Sequence, residues 1–214
     1  MRLQSFPTLA VISGMAAVIT ALPLGAQTCF GGLSNARTTQ AIGATASAAG
    51  AQRIMVGNYS LFTDRVAVGA RFGVGGSSFS TSNTSFMGAS IAVTPSGSRA
   101  RQLQWCPYAQ VNHEKTSYGF GLLRSSAGLA IGRDFPAGRS LTLVPFAQSA
   151  LVHVRQGAPG NAANHALGEL GVGLGIRLGD RLAITPSMRA FTGSARPPLR
   201  EPVYSLGFQF GIPH

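Results

Sequence analysis

The sequence predicts an all-β chain that folds as an antiparallel up-and-down β-barrel and crosses a membrane with its strands. Of its 214 residues, 28 are Gly and 45% are apolar, whereas only 11% are charged. A water-soluble helical protein needs many more charges on its surface. Beyond its N-terminal segment, the chain also has no run of the ~20 apolar residues that a membrane-spanning helix requires. If the chain enters lipid, it must do so as strands, because a closed barrel pairs every backbone polar group.

The N-terminus has the features of a cleaved export signal. Arg2 supplies a positive start, residues 9–22 form a short apolar stretch, and Ala26 is a small residue suited to the cleavage site. An uncleaved membrane anchor is the alternative, but the stretch is short for a span and Pro23 ends it. We therefore predict that residues 1–26 form a helical signal peptide that is removed on export.

Apolar side chains alternate with small or polar ones along the remaining chain. In residues 66–75 the even positions are Val, Ala or Phe, and the odd positions are Gly, Ala or Arg. Residues 170–178 and 203–212 repeat this pattern, with Leu174, Ile176, Leu206 and Phe208 on the apolar side. A period of two residues is that of a β-strand with one apolar face, and helical spacing fits none of these segments.

A sequence repeat organises these strands into hairpins. Residues 101–110 match residues 139–148, and a shorter copy begins at Leu182. Two strands, a short turn and a longer polar loop account for a period of roughly 40 residues. Short turns are predicted at residues 63–65, 95–99, 134–138 and 179–180, and long loops at 76–84, 113–117, 156–166 and 192–202. The repeat places Pro107, Pro145 and Pro186 on the apolar face, where we expect a bulge or a local bend.

The signal peptide, the alternating strands, the connections and an aromatic-rich last strand together resemble the small outer-membrane β-barrels of bacteria, of the porin-like or surface-antigen type. The resemblance covers residues 38–214 and leaves residues 27–37 as an N-terminal periplasmic segment. It implies an outer-membrane location, with short turns and both termini in the periplasm and long loops outside the cell. The implied partners are outer-membrane lipid and the assembly machinery that reads the last strand. The family usually ends on an aromatic residue, whereas here residues 211–214 follow Phe210.

Strand parity then favours ten strands. Nine well-patterned strands begin with residues 53–62, and a last strand that returns to the periplasm requires the first of these nine to run the same way. One more strand is needed before it, and residues 38–46 are the available segment, although they are Ala-rich and weakly patterned. Eight strands are the alternative, if this segment and one other fail to pair.

The formal net charge of +11 does not predict nucleic-acid binding, because 16 Arg and one Lys are spread singly along the chain. His113, Glu114 and Ser117 resemble the ingredients of a hydrolytic site, but a solvated loop also explains them. The glycines at residues 171–175 have the period of a strand and no helix after them, and no His or Cys spacing indicates a metal site. We therefore predict no catalytic residues, no cofactor and no metal, in a protein that is not an enzyme.

Charged side chains are predicted on the inward face of the barrel. The alternation turns Arg71, Glu169, Arg177 and Arg189 inward, beside Gln and Asn residues. Hydrogen bonds and ion pairs among these groups would plug a narrow lumen. The alternative is a small anion-preferring pore, because positively charged constrictions select anions.

The two cysteines, Cys29 and Cys106, are predicted to form a disulfide. They are the only cysteines of an exported chain, and an oxidising compartment favours their pairing. Cys106 is expected to face inward roughly 10–15 Å from the barrel mouth, within reach of the segment that follows Cys29. The bond would tie this segment into the lumen as a partial plug. Two separate buried thiols are the alternative.

Several functions are therefore open. The first is an integral outer-membrane barrel with a structural or surface-interaction role and a largely plugged lumen. The second is a small pore or transporter for anionic or amphiphilic solutes, and the third is a lipid-modifying enzyme of the outer membrane. A soluble exported β-protein is a further alternative. The sequence identifies no ligand and leaves the oligomeric state open.

Overall fold

A computed structural model describes residues 28–33, 39–63, 65–77, 80–94, 103–116, 121–158, 161–193 and 201–212. The predicted signal peptide, residues 1–26, lies outside this range. The barrel strands are β1 (Gln40–Ala49), β2 (Gln52–Phe62), β3 (Val66–Ser77), β4 (Ser80–Val93), β5 (Gln104–Thr116), β6 (Gly121–Gly132), β7 (Leu141–Ala158), β8 (Asn161–Leu178), β9 (Leu182–Gly193) and β10 (Val203–Ile212). One helical turn, Thr28–Phe30, precedes them, and a two-residue strand, Phe135–Pro136, lies between β6 and β7. Within the described part of the chain, no helix has the length and apolarity needed to cross a bilayer.

The ten strands form one closed antiparallel wall. Each strand pairs with its neighbours in sequence, and β1 closes the wall against β10, with Gln40 opposite Ile212. A path that starts at Arg181 and follows successive cross-strand partners returns to β9 at Gly193, twelve residues further along the chain. Such a stagger accompanies the strand tilt of roughly 35–45° that closes a barrel. The predicted ten-stranded up-and-down barrel is therefore confirmed.

The weakly patterned first segment is a full member of the wall. It was predicted at residues 38–46 and is observed as Gln40–Ala49, paired along its whole length with both β2 and β10. Its small side chains provide little local preference for a strand, but two neighbouring strands supply its hydrogen bonds. The alternative of eight strands is therefore wrong.

The two faces of the wall differ as the alternation predicts. Outward side chains form an apolar belt in which Phe72, Val74 and Leu151 are 65%, 68% and 79% exposed. Leu206 and Phe208 also point outward, and the inward positions between them are occupied by small or polar residues. This arrangement, apolar outside and polar inside, is that of a barrel in lipid.

The predicted lengths of the connections are partly wrong. We call the end at which the odd-numbered strands begin the lower end, and the opposite end the upper end. β5, β7 and β8 continue through most of the predicted upper loops at residues 113–117 and 156–166. At the lower end, β4 ends at Val93 and β5 begins at Gln104, while β6 ends at Gly132 and β7 begins at Leu141, so both intervals are longer than the predicted turns. Where a barrel extends beyond lipid, water covers both faces of a strand, so its sequence becomes polar while its backbone pairing continues.

The three repeated prolines cause no bulge. Each stays in register with one neighbouring strand, opposite Leu129, Leu174 and Leu206 for Pro107, Pro145 and Pro186, respectively. On the other side, the described ladder ends next to the proline or skips it and resumes in the same register. The predicted bulge is therefore wrong, because a proline lacks only one N–H group and the second side of the strand can still pair; the alternative, a local bend, stays a prediction.

Candidate functional site in the barrel lumen

Residues 28–33 lie inside the barrel, and we call this segment the plug. A disulfide joins Cys29 to Cys106 of β5, with the two Cα atoms 6.0 Å apart and both residues fully buried. The predicted disulfide is therefore observed in the structure. A cross-link between residues separated by 77 positions contributes about 4.5 kcal/mol to stability in the chain-entropy model, which makes it a strong tether.

Further contacts hold the plug against several strands. The ring of Phe30 stands edge-on to that of Tyr108, with the ring centroids 5.1 Å apart. The Leu33 amide donates a hydrogen bond of 3.0 Å to Oε1 of Gln209 on β10. The Thr185 hydroxyl on β9 donates one of 3.5 Å to the carbonyl oxygen of Gly31. The plug is thus bound to separate parts of the wall and does not depend on the disulfide alone.

Inward glycines of β8 make space for the plug and for side chains of β7. A Cβ atom at Gly175 would lie 2.6 Å from the carbonyl carbon of Gly31 and would overlap its oxygen and Cα. Gly31 has a φ of +67°, which favours glycine, and a Cβ there would lie 2.7 Å from Gly175 Cα. At Gly171, a Cβ would meet the side chain of Gln148 at 2.8 Å. The glycine run on β8 therefore has a packing role.

Glu169 is the centre of a polar network in the middle of the lumen. Its fully buried side chain accepts a hydrogen bond of 2.8 Å from Nε2 of Gln148 and lies 3.9 Å from a guanidinium nitrogen of Arg189. Arg71 lines the same cavity as Arg189 and donates a hydrogen bond of 3.0 Å to Oε1 of Gln110. Three members of the predicted charge cluster therefore meet in this region, with Arg189 as the partner of Glu169.

Arg177, the fourth member, lies elsewhere. Its guanidinium forms an ion pair with Asp134, which follows β6 at the lower end. Burial raises the pKa of the Asp134 carboxyl above its ordinary value, and Arg177 partly offsets this effect. Within the predicted cluster, Glu169 was the acidic residue available to Arg177. In the structure, Arg177 instead pairs with Asp134 near the base of the lumen.

Four inward charges were not predicted, namely Glu114, Arg124, Asp134 and Glu201. Glu114 and Arg124 line the cavity, and the Arg124 guanidinium lies 5.3 Å from the ring centroid of Phe191. The alternation of β5 would have placed Glu114 inside had the predicted strand continued past Asn112. On β6, Leu123, Leu129 and Ile131 occupy the outward positions, so the same alternation would have indicated that Arg124 points inward. The positive charge of the four inward Arg residues is therefore offset more fully than expected, by Glu114, Asp134, Glu169 and Glu201.

The residues considered for hydrolysis do not converge. His113 and Glu114 are neighbours in β5, so their side chains lie on opposite faces of the wall. Glu114 faces the cavity and His113 faces outward, while Ser117 lies outside the described residues. His113 and His165, both expected in loops, belong to β5 and β8.

A cavity of about 720 Å³ occupies the remaining lumen. Phe30 and Leu33 of the plug form part of its surface, and Arg71, Arg124 and Arg189 contribute its cationic groups. The cavity also reaches Phe62 and Ala67 near the lower end, along the side of β2 and β3. The plug is therefore partial: it packs against β5 to β10 and leaves space along β2 and β3.

The closed wall, the even strand number, the apolar belt and the polar interior define a small barrel of the outer-membrane type. No protein-family model matches the chain, and no curated protein matches it at significant similarity.

Solved structures of bacterial barrels resemble the chain only distantly. The N-terminal β-barrel domain of Pseudomonas aeruginosa OprF is 13% identical and covers 82% of this chain and 99% of its own, with a TM-score of 0.39. LpxR from Salmonella typhimurium is 14% identical over 75% of this chain and 73% of its own, with a TM-score of 0.45. The Acinetobacter baumannii outer membrane protein Omp33 is 7% identical over 82% and 99%, with a TM-score of 0.34. At these values no property of the other proteins transfers to this chain, and its fold rests on its own strand pairing.

Proposed function

We propose that the protein is an integral barrel of the bacterial outer membrane with a structural or surface-interaction role and a largely plugged lumen. The observation that carries this proposal is the plug, which is bonded covalently to β5 and packs against β8, β9 and β10. We infer that the chain is exported through its signal peptide and inserted by machinery that reads β10. Its upper end then faces outward and its lower end faces the periplasm.

Two features favour a closed lumen. The plug is fixed by a bond that persists in an oxidising compartment. In addition to the plug, two groups of bonded side chains occupy the lumen. Glu169 contacts Gln148 and Arg189, and Arg71 is hydrogen-bonded to Gln110. The plug and these side chains narrow the path that solutes would need, and the cavity of about 720 Å³ along β2 and β3 is the space that remains.

A small anion-preferring pore is the second candidate. The space along β2 and β3 favours it, and so do the three Arg residues that line the cavity against two Glu residues, because an anion passing the plug would meet Arg71 and Arg189. Rearrangement of the Glu169 network would widen such a path.

Recording from planar bilayers distinguishes the two candidates. We expect the oxidised protein to show no resolved conductance steps, and the double variant Cys29→Ser/Cys106→Ser to show larger and less uniform currents. The wild type treated with reductant serves as the control for any effect of the serines themselves. Stable anion-selective steps from the oxidised wild type would overturn the plugged-barrel proposal in favour of the pore.

A further inference from the structure

A groove of about 870 Å³ runs across the outer wall from β3 to β8. Small residues form its base, among them Ala89, Ala109, Ala127, Ala166 and Gly168. Val68 borders it, and Leu151 lies within it between Ala127 and Gly168; both Val68 and Leu151 belong to the exposed apolar belt. Because small side chains replace large ones on four strands, β4, β5, β6 and β8, the belt here has a depression that is open to the surrounding lipid.

Basic side chains border this groove toward the upper end. His153 lies in its lining, opposite Ser125 of β6 and Ala166 of β8. Two residues further toward the upper end, Leu123 lies between His113 of β5 and Arg155 of β7. Lys115 follows His113 on the same face of β5.

Among the described residues, this basic group has no acidic counterpart on its face. Lys115 and Arg155 are exposed, and no ion pair joins either of them to another described residue. Two strands that line the groove carry acidic residues, Glu114 on β5 and Glu169 on β8, but both of these side chains point into the lumen. The outer wall therefore combines an apolar depression with uncompensated positive charge directly above it.

We propose that this surface binds a phosphate-bearing lipid of the bilayer leaflet at the upper end, with acyl chains in the groove and phosphate groups on Lys115 and Arg155. Both cations form strong charge-assisted hydrogen bonds to phosphate oxygens, and Arg presents a planar fork that can bind two of them. His113 and His153 supply further ring nitrogens beside them. Small residues at the base of the groove let an acyl chain approach the wall closely, which increases its contact area.

A second copy of the chain fits this surface less well than a lipid does. In a membrane, a twofold dimer has its axis along the membrane normal, so each patch meets the same patch at the same level. Lys115 and Arg155 would then face the Lys115 and Arg155 of the other copy. An anionic lipid instead neutralises these charges, so charge complementarity favours the lipid.

The proposed site depends on the function proposed above only through the placement of the barrel in a bilayer. It does not depend on the state of the lumen. A protein that is closed in bilayer recordings but shows no preference for anionic lipid would refute this site and leave the plugged barrel intact.

Native mass spectrometry of the detergent-solubilised full chain, titrated with phosphatidylglycerol or phosphatidylcholine, tests the cationic part of the site. We expect retained adducts with phosphatidylglycerol and about tenfold or more weaker retention for Lys115→Gln/Arg155→Gln. Arg53→Gln is the matched control, because Arg53 is an exposed cation on β2, away from the groove. Equal retention of the two lipids by the wild type, or equal losses in both variants, would overturn the proposal.

Ala127→Trp tests the apolar part, since it fills the groove without changing a charge. We expect it to weaken phosphatidylglycerol retention, whereas Ala46→Trp on the outward face of β1 leaves retention unchanged. Unaltered retention in Ala127→Trp would show that the groove holds no acyl chain. A dimer peak that disappears in Ala127→Trp, without lipid adducts, would assign the groove to a second copy. Heat-dependent gel mobility confirms that each variant has a folded barrel before it is compared.

Discussion

Replacing Gly175 with Ala tests the fit between the plug and the wall. The added Cβ would lie 2.6 Å from the carbonyl carbon of Gly31 and closer still to its oxygen and Cα. These are backbone atoms, so no side-chain rotation relieves the overlap. Overpacking of this kind costs about 1–3 kcal/mol. While the disulfide keeps the plug beside β8, we expect the whole cost to appear as a lower free energy of unfolding.

Gly207→Ala is the matched control for this variant. Gly207 also faces the lumen, from β10, but a Cβ there would have Thr45 Oγ1 as its nearest neighbour at 3.5 Å, an ordinary contact. We expect its free energy of unfolding to stay within about 0.5 kcal/mol of the wild type. Urea unfolding from lipid vesicles, followed by fluorescence of the single tryptophan, Trp105, measures both variants.

Reduction of the disulfide gives a second readout. A cost of about 1–3 kcal/mol corresponds to a shift of roughly 5- to 150-fold toward a released plug, since every 1.4 kcal/mol is about tenfold. Protease should then cleave the N-terminal segment of reduced Gly175→Ala faster than that of reduced wild type. Equal unfolding free energies and equal cleavage rates for Gly175→Ala and Gly207→Ala would refute the packing of Gly31 against β8.

Three further predictions follow from the wall, the topology and the lumen. Leu206→Arg should destabilise the barrel by about 2–4 kcal/mol in vesicles because it places a charge in lipid; wild-type stability would show that β10 faces the other way. Protease added to intact cells should cut within residues 196–200, a segment outside the described residues, and spare Arg139 at the lower end, whereas the reverse pattern would invert the barrel. Glu169→Gln removes the ion pair with Arg189 and should increase bilayer current; unchanged current, with the variant folded, would show that Glu169 does not close the lumen.

The parts of the fold that the sequence predicted are those in which one face of a strand meets lipid. β10 alternates along its length, so its position and its outward residues were predictable. β1 was found only from parity, because its Ala-rich sequence provides no strong pattern. The loop prediction at residues 156–166 failed because polarity was taken as a sign of irregular structure, whereas β7 and β8 stay paired beyond the belt.

The contacts of the candidate site could be predicted from the sequence where a residue has few possible partners. Two cysteines allow one pairing, and the inward positions of Arg71 and Glu169 follow from a period of two. Which acid pairs with Arg177 depends on how the segment after β6 folds back to the lower end, and nothing local to Arg177 encodes Asp134. The fit of Gly31 against Gly175 likewise joins positions far apart in the chain, so it was visible only in three dimensions.

Peptide mapping of the unreduced protein tests most directly whether the N-terminal segment is tied into the lumen. The protein is extracted from membranes with free thiols alkylated at lysis, digested without reductant and analysed by mass spectrometry. We predict one disulfide-linked peptide pair that contains Cys29 and Cys106, with no alkylation at either residue. Recovery of both cysteines as alkylated thiols would contradict the tethered plug and the plugged-barrel function inferred from it.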